Sequence, residues 1–193
     1  MAARSTSAQL IDRLRTLTQV TSSDWTLGTA TFWDGDHMQA VLDEHRYDVY
    51  REPLTAVSKY VNGTVQFLEY RSEYQYLEQT SGGSAIFFIE DGTGTDKGTA
   101  TWSADYIRGI VTFTSDQKGT AYYMTGRAYD LNGAAAHIWR AKADHYSTTH
   151  FDFSTDNMKV NRSQVITHCL KMADRYDAKA WSFSTTMLRG DEV

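Results

Sequence analysis

The sequence predicts an α+β fold: a four-helix unit of two N-terminal and two C-terminal helices, with an inserted antiparallel β-barrel or sandwich block and an extended C-terminal tail. Three observations lead to it. Apolar residues recur at helical spacing near both ends of the chain, while the middle is rich in β-branched and aromatic residues cut by glycine turns. Apolar and polar residues alternate beyond the last helix.

The first helix is expected over residues 6–17, TSAQLIDRLRTL, where leucine and isoleucine return at helical spacing. Thr6 and Gln9 fit a capping box at its start. A second helix is predicted from about residue 35 to 50, with Asp34 or Asp36 as its cap. It should stop before Pro53, because the residue before a proline is disfavoured in the helical region.

The β block should run over residues 54–128, as five or six short strands. Dipeptides such as Asn62-Gly63 and Lys118-Gly119 separate its apolar runs and predict tight turns. Strands this short are expected to close into a small barrel or to form a sandwich. Some of the many tyrosines and tryptophans should point outward, where these residue types suit protein interfaces.

Helical periodicity returns at about residue 131 and again over residues 161–180. Neither helix pair could bury its apolar stripe alone, so the two pairs should form one unit. The chain therefore divides into a discontinuous helical connector domain (1–53 and 129–180), an inserted β-rich domain (54–128) and an extended tail (181–193).

Residues 150–164, HFDFSTDNMKVNRSQ, link the two C-terminal helices and resemble a calcium loop, with Asp152, Ser154 and Asp156 at positions 1, 3 and 5. That loop also needs glycine and a bidentate glutamate where Asn157 and Ser163 stand. The favoured interpretation is a shaped connection in which Asp152 and Ser154 turn the chain through local hydrogen bonds. The full connection motif consists of Phe151, Asp152, Phe153, Ser154, Arg162, Ser163 and Gln164.

Other chemical motifs fail their spacing tests. The glycine-rich stretch over residues 91–99 has its lysine before the glycine that it should follow in a phosphate loop, and residues 82–86 lack the last glycine of a nucleophile elbow. None of the six histidines forms the metalloprotease pair with glutamate. A single cysteine, Cys169, excludes an intrachain disulfide and cysteine-based zinc frameworks. The sequence thus predicts no catalytic residue, metal or cofactor, and a protein that is not an enzyme.

The net charge of −5 and the absence of any block of like charges disfavour a protein that grips nucleic acid by its phosphates. They leave open a surface past which DNA slides. The sequence has neither an apolar signal segment at its start nor a long apolar run elsewhere, which predicts a soluble protein made in the cytoplasm.

The tail AWSFSTTMLRGDEV, residues 180–193, has the alternation of a strand. An apolar segment beyond the last helix could add to the sheet edge of a neighbouring molecule, with backbone bonds giving affinity and alternate side chains giving specificity. A disordered terminus is the alternative.

Residues 129–176 resemble the C-terminal helical part of head-to-tail connector (adaptor) proteins of long-tailed bacteriophages. The matching features are the small residues AAA before Trp139, the FDFS turn and the RSQ opening of the last helix. The N-terminal pair, LIDRLRTL and the helix ending in DVYREPL, also fits such proteins. The β block is similar only in general character.

The resemblance implies a structural virion protein, assembled in the host cytoplasm into a twelve-copy ring beneath the portal at the capsid vertex. Such a ring extends the DNA channel for genome ejection and docks the next neck or tail-completion protein, with DNA only as passing cargo and no membrane partner. It further implies that the chain end contacts the portal through Trp181, Phe183, Thr185, Met187, Leu188 and Arg189. The competing hypothesis is a β-rich binding module, a receptor-binding or decoration protein that uses exposed Tyr and Trp.

Overall fold

The computed structural model describes residues 3–20, 26–27, 30–80, 86–149, 153–155, 158–160 and 162–181, and it has an α+β architecture. Within these ranges there are four α-helices and two main antiparallel sheets. The helices are α1 (Ala8–Thr18), α2 (Gly35–Glu44), α3 (Leu131–Thr149) and α4 (Arg162–Asp177).

Helix α1 starts after a short 3-10 turn and buries its apolar stripe, as its periodicity predicts. The predicted capping box does not form. The Thr6 hydroxyl instead donates a hydrogen bond to the carboxylate of Glu78, at 2.6 Å. A long-range partner that the local sequence does not reveal thus replaces the predicted local one.

Helix α2 begins where the sequence predicts, because the Asp34 carboxylate accepts a hydrogen bond from the His37 N–H at 2.9 Å. It ends at Glu44, six residues earlier than expected. Residues Arg46–Pro53 form strand β3, which places Val49 in the core of the β region. Tyrosine and valine favour strands, and pairing with another strand outweighs the helical spacing in this segment.

The chain forms eleven strands within the described ranges. They are β1 (Thr26–Leu27), β2 (Ala30–Thr31), β3 (Arg46–Pro53), β4 (Thr55–Val61), β5 (Thr64–Arg71), β6 (Phe88–Asp91), β7 (Trp102–Asp105), β8 (Ile110–Phe113), β9 (Tyr122–Tyr129), β10 (Phe153–Thr155) and β11 (Met158–Val160).

The two main sheets have the orders β3-β9-β6 and β4-β5-β8-β7, with antiparallel neighbours throughout. The β region is therefore not a closed barrel, and that alternative in the prediction is wrong. Closure requires each strand to pair on both sides, whereas in the described part of the chain β3 and β6 bound one sheet and β4 and β7 bound the other. Side chains from both sheets share one apolar cluster, including Ile89, Met124, Tyr70 and Phe113.

The sheet pairing does not follow the boundaries suggested by the sequence. A boundary after residue 53 separates β3 from β4, and one after residue 128 falls inside β9. Strand β3 pairs with β9, from Arg46 opposite Tyr129 to Pro53 opposite Tyr123. The predicted N-terminal helical segment thus contributes an edge strand to the β region.

A second apolar cluster lies among α1, α2 and the start of α3, and α4 packs along α3. Buried Lys142 of α3 connects this helix to the end of α1. Its Nζ donates to the carbonyl of Thr18 at 2.9 Å and lies 4.9 Å from the centre of the Trp139 ring. The ammonium group thus satisfies carbonyls left open at the end of α1 and gains a cation–π contact.

The helical and β clusters meet at the buried carboxylate of Glu78, whose residue has no solvent-exposed surface. One carboxylate oxygen accepts from the Thr6 hydroxyl and from Arg4 Nε, at 2.6 and 3.0 Å. The other accepts from the Tyr129 hydroxyl at 2.6 Å. Arg4 also forms a bidentate pair with Asp43 of α2 at 2.9 and 2.6 Å. These contacts link the N-terminal segment, α2 and β9.

Burial raises the pKa of Glu78, but hydrogen bonds from Thr6 and Tyr129, together with the charge of Arg4, outweigh it. The net effect is a pKa below the ordinary glutamate value. Burial and the neighbouring Glu78 carboxylate raise the pKa of Tyr129, which therefore stays protonated and continues to donate.

We predict that Glu78→Gln lowers the free energy of unfolding by about 1.5–3 kcal/mol, the usual range for hydrogen bonds to a charged group. Urea denaturation followed by circular dichroism measures it. Glu73→Gln is the matched control, because Glu73 is exposed, and we expect a change within about 0.5 kcal/mol. Equal effects of the two substitutions would contradict the role given to Glu78.

The same carboxylate predicts a pH dependence. Because the folded-state pKa of Glu78 lies below its unfolded value, its contribution is fully present above the unfolded pKa and is lost as the pH falls through the folded pKa. The stability difference between wild type and Glu78→Gln should therefore shrink on acidification below the ordinary glutamate pKa. Urea titrations at neutral and acidic pH measure it, and a constant difference would contradict the ionised state.

Candidate interaction surfaces

The hairpin of β4 and β5 extends beyond its sheet. The register of β5 with β8 covers Glu69, Tyr70 and Arg71, whereas β4 and β5 stay paired out to Val61 and Thr64. We call residues 59–66 the ribbon. Its turn has φ of 50° at Asn62 and 82° at Gly63, as expected of an Asn-Gly hairpin turn with positive φ at both positions.

The ribbon carries an exposed apolar pair. Tyr60 lies directly opposite Val65, and the two residues are 77% and 53% exposed. Val61, next to the turn, is also exposed. A two-stranded ribbon buries little surface of its own, so an apolar cross-strand pair at this place suits contact with another molecule.

A loop holds the base of the ribbon. The Phe67 N–H donates to the Asp116 carboxylate at 2.8 Å, and the Phe67 carbonyl accepts from the Gln117 N–H at 3.1 Å. The N–H groups of Phe67 and Lys118 lower the pKa of Asp116, which keeps it charged as an acceptor. The ribbon thus leaves the β region from a fixed base.

A second exposed apolar surface lies on α4, whose inner side buries Cys169 and Ala173 against Trp139 of α3. Burial raises the pKa of the Cys169 thiol, as for a packing residue. Val165 and Leu170 are 40% and 46% exposed. They flank the buried stripe on its two sides, about 140° apart around the helix axis, and we call these two flanking residues the outer surface of α4.

The connection motif is only partly within the described residues. Strands β10 and β11 form a short antiparallel hairpin in which Ser154 lies opposite Lys159, so Ser154 is a strand residue and not the turn residue that the sequence suggested. Arg162 begins α4, and Ser163 and Gln164 are exposed on its first turn. Two residues of the motif, Phe151 and Asp152, lie outside the residues that the structure describes, as do the side chains of Phe153 and Ser154.

Of the residues assigned to the portal contact, Trp181 is within the described chain, and it contacts the protein itself. Its ring lies 5.9 Å from that of Tyr74 and packs against the β cluster. The backbone N–H of Trp181 donates to Asp130 Oδ2 at 2.8 Å. Asp130 Oδ1 caps α3 by accepting from the N–H groups of Asn132 and Gly133. Phe183, Thr185, Met187, Leu188 and Arg189 lie outside the described residues.

Side chains capable of acid–base or metal chemistry are dispersed. No three His, Cys, Asp or Glu residues in the described ranges come together as ligands for a metal ion. His45 and His137 have ring centres 6.0 Å apart, and His137 Nδ1 lies 3.2 Å from a Glu44 carboxylate oxygen. Burial lowers the pKa of His45, which favours its neutral form.

Two features were not predicted from the sequence: the exposed Tyr60–Val65 pair and the role of Glu78. The pairing of Tyr60 with Val65 could have been inferred, because a two-residue Asn-Gly turn fixes the hairpin register. The role of Glu78 had no local signal, since its partners lie up to 74 residues away in the chain.

No known family model matches this chain, and no curated protein matches it either. Across the ranges that the structure describes, no helix combines the length and apolar character needed to cross a membrane.

The Trp181 contacts predict different stabilities for two truncated forms. A chain ending at residue 180 should be about 1–3 kcal/mol less stable than one ending at residue 181, because it lacks the partly buried indole and the backbone N–H of Trp181 that donates to Asp130. Thermal and urea denaturation of the pair measure it. Equal stability of the two forms would show that Trp181 does not anchor this end of the chain.

Proposed function

We propose that this protein is a structural virion neck protein, a head-to-tail connector (adaptor) that forms a ring of about twelve copies beneath the phage portal. The ring extends the DNA channel and docks the next neck or tail protein. The observation that carries the proposal is the presence of two separate exposed apolar surfaces, the ribbon and the outer surface of α4, on one chain.

A ring is built from heterologous contacts, in which one surface of each subunit meets a different surface of the next. The ribbon of one subunit would contact the outer surface of α4 on its neighbour. The ribbon supplies Tyr60 and Val65, and α4 supplies Val165 and Leu170. A closed ring repeats this contact at every subunit.

Three further features support this function. The stretch that resembles connector proteins, residues 129–176, spans α3, the β10–β11 hairpin and nearly all of α4. The net charge of −5 suits a channel through which DNA passes without sticking. The backbone N–H of Trp181 is held by Asp130, and residues 182–193, which follow it, would reach the portal.

The alternative, a β-rich binding module, has one observation in its favour: Tyr50 and Tyr60 are 79% and 77% exposed. Such a module would keep its ligand contacts within the β region. It gives no role to the exposed Val165 and Leu170 of α4, so we favour the ring.

We predict that Tyr60→Ser with Val65→Thr abolishes ring assembly on the portal while leaving the subunit folded, because it removes apolar surface that the subunit itself does not bury. Native mass spectrometry with purified portal protein counts the copies. Tyr50→Ser is the matched control, a similarly exposed tyrosine of β3 between Val49 and Arg51, and it should assemble normally.

A mixing experiment distinguishes a heterologous contact from a symmetric one. Leu170→Ser should also block assembly, and a mixture of it with the ribbon variant should stop at dimers, since only one intact ribbon–α4 contact can form in each pair. Full rings from either variant alone would contradict the assignment of the two surfaces.

A further inference from the structure

A small basic cleft opens where β5 ends beside the turn between β7 and β8. It has a volume of about 250 Å³ and is lined by Arg71, Ser72, Gln75, Arg108 and Ile110. Arg71 and Ile110 lie opposite each other in the sheet, so the strand register holds one wall in place. The cleft is separate from the ribbon and from the outer surface of α4.

The backbone around the cleft is held tightly. Gly109 has φ of 67°, and a Cβ atom there would lie 2.1 Å from the carbonyl oxygen of Tyr74, so only glycine fits. The Ser72 N–H donates to the Gly109 carbonyl at 2.8 Å, and the Ser72 hydroxyl accepts from the Tyr74 N–H at 2.9 Å. Among the described residues, none accepts the Ser72 hydroxyl proton, which a ligand could therefore take up.

Carboxylates of the described residues neutralise the positive charge of the cleft only in part. The Glu69 carboxylate forms ion pairs with both Lys59, at 2.7 Å, and Arg71, at 2.9 Å, so one negative charge is shared between two cations. Asp105 accepts the backbone N–H of Arg108 at 3.1 Å. Among the described residues, no carboxylate forms an ion pair with the Arg108 guanidinium.

We propose that this cleft binds a phosphate-type oxyanion. The Arg108 guanidinium supplies charge and paired N–H donors, the geometry that phosphate oxygens accept best. Arg71, whose Nε and Nη2 face Glu69, adds charge and its remaining N–H groups. The Ser72 hydroxyl and the Gln75 amide supply neutral donors at its sides. The phosphate is either free or part of a nucleic-acid backbone, and the site does not depend on the proposed ring.

Two binding measurements on the full chain, in a chloride buffer, test the site. Isothermal titration calorimetry uses inorganic phosphate, and fluorescence anisotropy uses a labelled DNA duplex. We expect Arg108→Gln to weaken binding about tenfold or more, as for loss of a charge-assisted hydrogen bond. Arg175→Gln is the matched control, an exposed arginine of α4, and should stay within about twofold of wild type.

Phosphate binding that Arg108→Gln weakens supports a site for the free ion. Binding to DNA alone, weakened in the same way, supports a site for the backbone phosphate. Absence of binding to both, or equal weakening by the two substitutions, would overturn the proposal. Arg108 lies exposed in a turn, so its substitution should leave the fold intact, and circular dichroism verifies this.

Discussion

The buried Glu78 carboxylate is the constraint on which the rest of the structure depends. A buried charge is tolerated only when its oxygens are fully hydrogen-bonded, and here the donors come from the N-terminal segment and from β9, while Arg4 extends the network to α2. Because these donors come from both regions, the Glu78 carboxylate holds the helical cluster and the β cluster in a fixed position relative to each other. The ribbon and the outer surface of α4 then keep a defined relation to each other, which a repeating contact between identical subunits requires.

Asp130 forms the second link between the two regions. It follows β9 directly, caps α3 with one carboxylate oxygen and holds the backbone of Trp181 with the other. One side chain therefore sets both the start of α3 and the place where the chain leaves α4. The contact also clarifies the tail: Trp181 belongs to the folded subunit, and a portal contact would fall to the residues after it.

Much of the architecture follows from local rules. The Asp34 cap and the Asn62-Gly63 turn are encoded within a few residues, and the sequence predicts both correctly. The end of α2 was not predictable in the same way, because residues 46–50 fit a helix locally and become a strand only through pairing with β9. Thr6 illustrates the same limit, since its true partner, Glu78, is 72 residues away. The candidate surfaces depend on such distant pairings, so composition alone could not locate them.

The proposed function requires a closed ring on the portal, and electron microscopy of the purified protein mixed with portal protein tests this most directly. We expect a ring of about twelve subunits stacked coaxially on the portal, with the ribbon of each subunit against α4 of the next. Monomers that leave the portal unoccupied, or a ring whose subunit contacts avoid both the ribbon and α4, would contradict it.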